Sequence, residues 1–299
     1  MLKKITIFGV GLIGGSFALA LKKAGAVGQV VGVGRSAASL ERAKELGIID
    51  TIGASMEEAV AGADLILVAA PVAQTESILA AIRPHLQSGT VVTDAGSTKS
   101  DVVEAARKVL GEKIAQFVPG HPIAGREQNG PEAAIVDLYV GKKAVLTPLP
   151  ENSDEDVARV AHAWRQCGAI IHRLSPQEHD RVFAAVSHLP HVLAYALVDD
   201  VAKKPHADLL FQYAASGFRD FTRIAGSSPE MWRDISLANQ AALLGELDAY
   251  IGRLNELRAM LAAGDGHALE AVYGNAQRAR QNWIRTIEAA EQQSRQGGD

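Results

Sequence analysis

The N-terminal stretch KITIFGVGLIGGSFALALKKAG places three glycines between an apolar run and a helical pattern. Residues 5–10 are rich in the β-branched side chains that strands favour, and residues 16–23 have helical periodicity. Between them Gly9 allows a tight turn, Gly11 leaves room for a phosphate beside the backbone, and Gly14 lets the helix pack closely on the strand. This strand–turn–helix unit predicts a dinucleotide held at the N-terminus of the helix. The predicted cofactor contacts in the turn are Gly9, Gly11, Leu12, Ile13 and Gly14.

Strand patterns and helical patterns alternate through the first half of the chain. The strand patterns occur at residues 5–10, 29–33, 64–69, 90–94, 115–118 and 143–146. The segments between them include helical patterns at residues 16–23, 39–46 and 74–86. This alternation is typical of a parallel, doubly wound sheet. We therefore predict an α/β Rossmann-like, dinucleotide-binding domain for residues 1–173.

The second half of the chain has helical patterns only. Ser175, Pro176 and Glu178 combine an N-cap, a first-turn proline and an acid at the third position, which together mark the start of a helix. We predict an all-helical second domain for residues 174–299. Two apolar stripes, suited to a dimer interface or to an internal core, lie at residues 237–261 and 269–287.

Composition excludes several classes of protein. The 299 residues are 47% hydrophobic and 21% charged, as in an ordinary globular chain, and the formal net charge of −4 gives no basic footprint for nucleic acid. The single cysteine, Cys167, excludes an intramolecular disulfide and a cysteine-built zinc site, and suits a reducing compartment. The basic MLKK and the uncharged residues 5–21 imitate a signal peptide. The strand–turn–helix pattern inside that segment favours a cytoplasmic protein without membrane attachment instead.

The end of the second predicted strand bears on which dinucleotide binds. An acid there would accept hydrogen bonds from the ribose hydroxyls of NAD and repel a 2′-phosphate. This chain has Gly34, followed by Arg35 and Ser36. A guanidinium pairs with a phosphate through two parallel hydrogen bonds, and a hydroxyl adds a further donor. We predict a preference for NADP, with NAD possible. The alternative is that Arg35 is only a solvated surface residue and the site accepts either cofactor.

Two polar residues follow strands of the predicted sheet, where open α/β sheets bind ligands. Ser97 lies in DAGSTKSD, residues 94–101, and either caps the next helix or presents its hydroxyl to a ligand. His121 lies between two prolines in PGHPIAGRE, residues 119–127. A histidine fixed at this edge is suited to general-base work because its ordinary pKa is close to neutral pH. The alternative for His121 is a loop histidine with a structural hydrogen bond.

The segment HDRVFAAVSHLPHVLAYAL, residues 179–197, contains a proline inside a helical pattern. Pro190 removes a backbone hydrogen bond, so we predict a kink that frees the carbonyl of Val186. The side chains that such a kink would direct toward a site are Ser187, His188 and His191.

The segment SGFRDFTRIAGSSPEMWRD contains two cations one helical turn apart, Arg219 and Arg223. This spacing places both on one face of a helix. In a chain without a general basic bias, such a pair suggests recognition of carboxylates. The alternative is that both arginines are simply solvated.

In combination these segments resemble the prephenate dehydrogenase family, which includes arogenate and cyclohexadienyl dehydrogenases. The resemblance covers nearly the whole chain through five motifs in order, which are GVGLIGGS, DAGSTK, GHPIAGRE, the HD pair before SHLPH, and GFRDFTRIAGSSPEMW. It implies a Rossmann-like domain joined to a helical domain that forms a homodimer. It also implies oxidative decarboxylation of prephenate to 4-hydroxyphenylpyruvate in tyrosine biosynthesis, with hydride transfer to a nicotinamide cofactor.

The resemblance also implies roles for individual residues. His121 would take the proton of the substrate's C4 hydroxyl, and Ser97 would help to hold this histidine and the substrate. Arg223 would be the main partner of a substrate carboxylate. The residues implied to assist it or to lie nearby are His191, His179, Asp180 and Arg219. Because no acid stands at Gly34, the cofactor choice of NAD-preferring members does not carry over, and the choice between prephenate and arogenate stays open.

Three other interpretations stay open at this point. Another Rossmann-type hydroxyacid or imine oxidoreductase would share the glycines without requiring GHPIAG and SHLPH together. A non-catalytic dinucleotide sensor would need only the first domain. A metal-dependent hydrolase would use histidines three apart on a helix. Its candidate ligands are His179, Asp180, His188 and His191, although the family resemblance implies no metal.

Overall fold

The computed structural model describes residues 1–126 and 128–296. Glu127, at the end of the PGHPIAGRE segment, and the last three residues of the predicted second domain lie outside this description. The chain divides into two compact units, Met1–Leu243 and Leu244–Asp299. Many of the helices after residue 174 therefore belong to the first unit, and the functional boundary near residue 173 stays a prediction.

A parallel sheet forms the centre of the first unit. Its strands are β1 (Leu2–Phe8), β2 (Val27–Val33), β3 (Thr51–Ile52), β4 (Leu65–Val68), β5 (Val91–Asp94) and β6 (Phe117–Val118). The spatial order is β3-β2-β1-β4-β5-β6, and Ile5 of β1 pairs with Val30 on one side and Leu65 on the other. The strand order reverses between β1 and β4, so a crevice for ligands lies at the carboxyl ends there. The predicted Rossmann-like fold is confirmed.

The last predicted strand of this sheet belongs elsewhere. A second sheet contains β7 (Gly120–Pro122), β8 (Lys143–Leu146) and β9 (Ile170–Arg173), in the order β7-β8-β9. Strand β7 runs antiparallel to β8, with His121 opposite Val145, and β8 runs parallel to β9. The prediction that residues 143–146 join the parallel sheet is therefore wrong, because a short apolar run shows that a strand forms but not which strand it pairs with.

Helices connect the strands and continue through the rest of the described chain. In the first unit they are α1 (Leu12–Lys23), α2 (Ala37–Glu45), α3 (Met56–Val60), α4 (Thr75–Ile82), α5 (Ser100–Leu110), α6 (Asp154–Gln166), α7 (Pro176–Phe183), α8 (Leu189–Ala202), α9 (Ala207–Gln212), α10 (Ser216–Thr222) and α11 (Pro229–Ala238). Short 3-10 turns lie at Val72–Gln74, Arg83–His85, Gly111–Gln116, Pro131–Ala133 and Arg223–Gly226. Helix α12 (Gln240–Ala263) continues into the second unit, where α13 (Gly266–Gln296) follows.

Two apolar layers enclose the parallel sheet, because alternate residues of its strands point to opposite faces. In one layer the buried Trp164 ring packs against Phe17 and Tyr139, with ring centroids 4.6 Å and 5.1 Å apart. The Tyr139 hydroxyl donates a hydrogen bond of 2.6 Å to the carbonyl of Ile13. The core thereby fixes the first turn of α1, immediately after the glycine-rich turn.

The stretch Pro176–Ala202 is long and apolar enough to cross a membrane, judged by length and composition alone. It consists of α7, a π-helical turn at Ala184–His188, and α8. Its polar residues His179, Asp180 and His188 are buried, and Asp180 and His188 have hydrogen-bond partners on other elements of the first unit. It packs on the first unit through these residues, while only 28% of its most apolar window is buried.

The structure has an irregular turn where Pro190 was predicted to kink the helix. The proline lies in the first turn of α8, directly after the π-helical turn Ala184–His188. A π-helical turn accommodates an extra residue and changes which carbonyls face the following turn. The chain therefore carries the proline through an irregular turn of a continuing helix, and this turn rotates the side chains that follow.

Candidate active site

The glycine-rich turn has the shape that a dinucleotide requires. Gly9 has φ +95°, and an added Cβ would lie 2.6 Å from the carbonyl oxygen of Ala69. A Cβ on Gly14 would lie 2.2 Å from the carbonyl oxygen of Gly9, so the backbone excludes a side chain at both positions. A Cβ on Gly11 would meet nothing within 4 Å, and α1 begins there without a side-chain cap. The first N–H groups of α1 thus border open space in which a pyrophosphate fits.

The two apolar residues predicted to contact the cofactor open helix α1. Leu12 is buried in the core, and the carbonyl of Ile13 accepts the hydrogen bond from Tyr139. Their contribution to phosphate binding would therefore come from main-chain N–H groups rather than from side chains.

At the end of β2 the chain passes from Val33 through Gly34 into α2. Arg35 is exposed, and Ser36 is the N-cap of α2, where its hydroxyl accepts a hydrogen bond of 3.2 Å from the Ser39 amide. A Cβ on Gly34 would meet only the Leu40 side chain, at 3.6 Å or more, so the backbone does not require glycine here. The fold would therefore accommodate an acidic side chain at position 34, and this chain lacks one for a reason other than backbone geometry.

A buried ion pair supports the segment that precedes α5. Lys99 and Asp94 are both fully buried and pair directly. The Asp94 carboxylate also accepts hydrogen bonds from the amides of Gly96, at 2.8 Å, and Gly120, at 3.0 Å. Asp94 therefore ties the DAGSTK turn to strand β7, which carries His121. Neither member of the pair was predicted, although both belong to the DAGSTKSD segment.

Ser97 does not cap a helix. Helix α5 begins at Ser100 with Lys99 as its N-cap, and the amides of these two residues donate to the Asp180 carboxylate at 2.7 Å and 2.8 Å. The capping alternative for Ser97 is wrong, because the Asp180 carboxylate of α7 accepts the hydrogen bonds from the first amides of α5. In the described part of the chain, the Ser97 hydroxyl makes no hydrogen bond to His121, and its contact with substrate stays a prediction.

Three side chains form a hydrogen-bonded row at the base of the site. The Nδ1 atom of His121 lies 2.8 Å from Nε2 of His179, and Nδ1 of His179 lies 2.9 Å from Oδ1 of Asp180. The Phe183 ring packs against both imidazoles, with centroids 4.9 Å and 4.4 Å away. Burial is the main cause that holds the pKa of His121 well below its ordinary value, and the adjacent imidazole of His179 and the charge of Lys99 act in the same direction. His121 is therefore neutral at physiological pH, as a base must be.

The structure gives His179 and Asp180 hydrogen-bond partners within the protein. Both are buried, and both oxygens of Asp180 already accept hydrogen bonds within the protein. Burial raises the pKa of Asp180, but the hydrogen bonds from His179, Ser100 and Lys99 outweigh this effect, so its pKa lies below the usual range. Burial likewise lowers the pKa of His179. This geometry places His179 directly against His121, with Asp180 behind it, and the proximity of the pair to the substrate stays a prediction.

The π-helical turn positions two further histidines. His191 stacks on Trp232 with ring centroids 3.5 Å apart, and its Nδ1–H donates to the carbonyl of Ser187 at 2.8 Å. His188 is buried, and its Nδ1 accepts from the Asn239 amide at 3.0 Å. Burial lowers the pKa of His188 to about 4. Trp232 and Asn239 were not predicted, although Trp232 lies inside the GSSPEMW motif.

The two arginines differ in their surroundings. Arg219 is exposed, and its Nε atom lies 3.5 Å from Oδ1 of the neighbouring Asp220. Arg223 begins the 3-10 turn after α10 and lies near His191, whose pKa is lowered first by burial and also by the charge of this arginine. Arg223 and His191 thus form a polar region that suits an anionic substrate.

The four candidate metal ligands have other partners. His179 and Asp180 bond to each other, His188 bonds to Asn239, and His191 bonds to the main chain. Among residues 1–126 and 128–296, no group of three or more histidine, cysteine or acidic side chains is arranged to hold a metal ion.

A Rossmann-ordered sheet, an open glycine-rich turn and a neutral histidine beyond β5 and β6 define a nicotinamide-dependent dehydrogenase. Two family models match in succession: "Prephenate dehydrogenase, nucleotide-binding domain" over residues 17–173, and "Prephenate dehydrogenase, dimerization domain" over residues 175–275. The chain belongs to the prephenate dehydrogenase family. It is a decarboxylating oxidoreductase, and the predicted resemblance is confirmed.

Individual relatives agree with this assignment. A cyclohexadienyl dehydrogenase of Zymomonas mobilis is 37% identical over 280 residues, which are 93% of this chain and 95% of the relative. The crystal structure of prephenate dehydrogenase from Aquifex aeolicus with hydroxyphenyl propionate and NAD+ is 35% identical, has a TM-score of 0.84, and covers 97% of this chain and 99% of its own. Synechocystis arogenate dehydrogenase is 30% identical with a TM-score of 0.78, over 94% of this chain and 99% of its own.

Proposed function

We propose that the chain converts prephenate to 4-hydroxyphenylpyruvate in tyrosine biosynthesis, in the cytoplasm and as a homodimer. The observation that carries this proposal is the occurrence of a neutral, half-buried base, His121, and the Arg223–His191 region in one compact unit. Prephenate has both a hydroxyl to deprotonate and two carboxylates to bind. The match to a family dimerisation domain supports the homodimer.

The chemistry assigns a task to each group. His121 accepts the proton of the C4 hydroxyl. The nicotinamide, when bound, accepts hydride from C4, and the ring carboxylate leaves as carbon dioxide to give an aromatic ring. Arg223 binds a substrate carboxylate, with His191 beside it, and Ser97 lies at the turn between cofactor and substrate. Aromatisation makes the reaction effectively irreversible.

The substrate is tested by initial rates with prephenate and arogenate under matched conditions. Faster turnover of prephenate supports the proposal, whereas exclusive turnover of arogenate makes the chain an arogenate dehydrogenase, the second candidate favoured by the Synechocystis relative. We expect Arg223→Ala to raise the KM of the preferred substrate roughly 10- to 100-fold through loss of a charge-assisted hydrogen bond. Arg165→Ala, at an exposed position in α6, is the matched control and should leave KM unchanged.

We infer that NADP is the preferred cofactor. The support lies at the end of β2, where Arg35 is exposed and Ser36 and Ser39 lie at the N-terminus of α2. A helix N-terminus with hydroxyls and a guanidinium favours a phosphate dianion. An NAD-bound relative shows that the same fold also holds the cofactor without that phosphate.

Two substitutions test this preference in opposite directions. Arg35→Ala should raise the KM for NADP roughly 10- to 100-fold and leave the KM for NAD nearly unchanged. Gly34→Asp fits the backbone, since its Cβ would meet only Leu40, and should improve NAD relative to NADP because the carboxylate pairs with the ribose hydroxyls. Equal effects of Arg35→Ala on the two cofactors would contradict the inferred preference.

A further inference from the structure

The hydrogen-bonded row of Asp180, His179 and His121 determines where its protons lie. An ionised carboxylate only accepts hydrogen bonds, so the contact of 2.9 Å with Asp180 requires a proton on Nδ1 of His179. Neutral His179 then has a lone pair on Nε2. The contact of 2.8 Å from this atom to His121 therefore requires a proton on Nδ1 of His121. The remaining ring nitrogen of His121, Nε2, has the lone pair.

From this geometry we propose that the His179–Asp180 pair fixes His121 as the Nδ1–H tautomer, which makes Nε2 the atom that receives the substrate proton. His179 is then a positioning residue, and it acts through His121 without touching the substrate. This inference rests on the proposed function for its catalytic consequence. In the proton transfer, the O–H bond of the substrate breaks, the Nε2–H bond forms, and the O–H electron pair becomes the second bond of a C4 carbonyl. The C4–H electron pair leaves as hydride, for which a bound nicotinamide would be the acceptor. The electron pair of the bond to the ring carboxylate then enters the ring as carbon dioxide leaves.

The row is anchored at its far end, which gives it the rigidity that a positioning role requires. Asp180 accepts hydrogen bonds from the amides of Lys99 and Ser100 at the start of α5. These bonds and the negative charge at a helix N-terminus keep the carboxylate ionised and fixed. The support thus runs from α5 through α7 to strand β7, and it does not depend on an exposed loop.

Packing limits rotation of the His121 ring. The centroid of the Phe183 ring lies 4.9 Å from that of His121. The His179 ring meets it edge-on, with the two centroids 5.1 Å apart. If the acceptor on His179 were lost, the Nδ1 proton of His121 would be left buried and unpaired. The ring would then change tautomer or rotate, and either change removes the lone pair from the catalytic position.

Two substitutions of His179 separate the hydrogen bond from the packing. His179→Gln places an amide oxygen close to the position of Nε2, where it accepts from His121. His179→Leu fills similar space without an acceptor. We expect His179→Leu to lower kcat on the order of 10²-fold or more, since loss of the correct tautomer in a catalytic triad costs up to ~10⁴-fold. The KM and the cofactor affinity should stay close to parental values, and His179→Gln should recover most of kcat.

The matched control is His172→Leu, the same substitution at an exposed histidine on β9. It should leave kcat unchanged. If His179→Leu also retains the parental kcat, or if His179→Gln is as impaired as His179→Leu with the same loss of folding stability, the positioning role is wrong.

The tautomer itself is measured without turnover. In long-range proton–nitrogen NMR spectra of the ¹⁵N-histidine-labelled protein, we expect His121 to show a protonated Nδ1 and an unprotonated Nε2, with its signals identified by their loss in His121→Asn. A protonated Nε2 in the parental protein would overturn the inference and leave the proposed function intact. Absence of turnover with both prephenate and arogenate, with the expected tautomer present, would instead overturn the proposed function. The parental spectrum decides even if His179→Leu fails to fold.

Discussion

At the scale of single residues, the main consequence of the structure is the lowered pKa of His121. Burial is the largest cause, followed by the adjacent imidazole of His179 and the charge of Lys99. A base works in its neutral form, and lowering its pKa keeps it neutral to lower pH. We therefore predict that kcat/KM stays constant as the pH falls through 6.5, the ordinary histidine value, and declines only in more acidic solution. Initial rates across a pH series in constant ionic strength measure this.

His121→Asn provides the control for that profile. It should keep cofactor binding and lower kcat on the order of 10²- to 10⁴-fold, because the base is removed and the turn is retained. The other histidines of the site do not confuse the measurement, since burial also lowers the pKa values of His188 and His191. A decline of kcat/KM centred at or above pH 6.5 in the parental enzyme would contradict the prediction.

The sequence predicted His121 and His179 as site residues but not the hydrogen bond between them. His121 follows a strand, and strand ends of an open sheet form ligand sites, so its position along the chain was sufficient. The contact with His179 joins residues 58 positions apart and depends on how α7 meets β7. The Lys99–Asp94 pair likewise gives no signal in the hydrophobic periodicity. A lysine is usually solvent-exposed, so the sequence alone does not indicate that Lys99 is buried against an acid.

At the scale of secondary-structure elements, the hydroxyl of Tyr139 connects the core to helix α1. It is fully buried and donates to the Ile13 carbonyl at 2.6 Å, one residue after the helix begins. We predict that Tyr139→Phe lowers the free energy of unfolding by about 1 kcal/mol and weakens dinucleotide binding, because it loosens the turn that faces the pyrophosphate. Urea unfolding and a cofactor titration measure the two effects.

Tyr213→Phe, at an exposed position directly after α9, is the matched control and should change neither quantity. If Tyr139→Phe destabilises the protein without changing cofactor affinity, the hydroxyl supports the core but not the turn.

Long elements were predicted better than short ones. The strand and helix around the glycine-rich turn have clear periodicity, and the structure contains both. Strands β3, β7 and β9 have two to four residues and were missed, because their pairing comes from the rest of the fold and not from local pattern. The π-helical turn before Pro190 could not be predicted from local sequence either. A proline in a helical pattern indicates an irregularity but does not show which kind of turn accommodates it.

At the scale of the whole molecule, the second compact unit carries the surface on which the proposed dimer depends. Helices α12 and α13 leave large apolar side chains exposed, including Ile251, Leu254, Leu261, Tyr273 and Trp283. Each buried leucine contributes roughly 1.5–3 kcal/mol to association when it leaves water. A surface of this kind is typical of a protein that associates.

We therefore predict a solution mass of twice the 31.6 kDa chain by light scattering, and dissociation toward 31.6 kDa in the double variant Leu254→Glu, Leu261→Glu. Two charges on the apolar faces of a dimer interface would be desolvated without partners, which strongly opposes association. Val140→Glu, at an exposed apolar position of the first unit, is the matched control and should keep the dimer mass. A parental mass of 31.6 kDa at micromolar concentration would show that these helices have no partner in solution, and equal dissociation in the control variant would place the interface on the first unit instead.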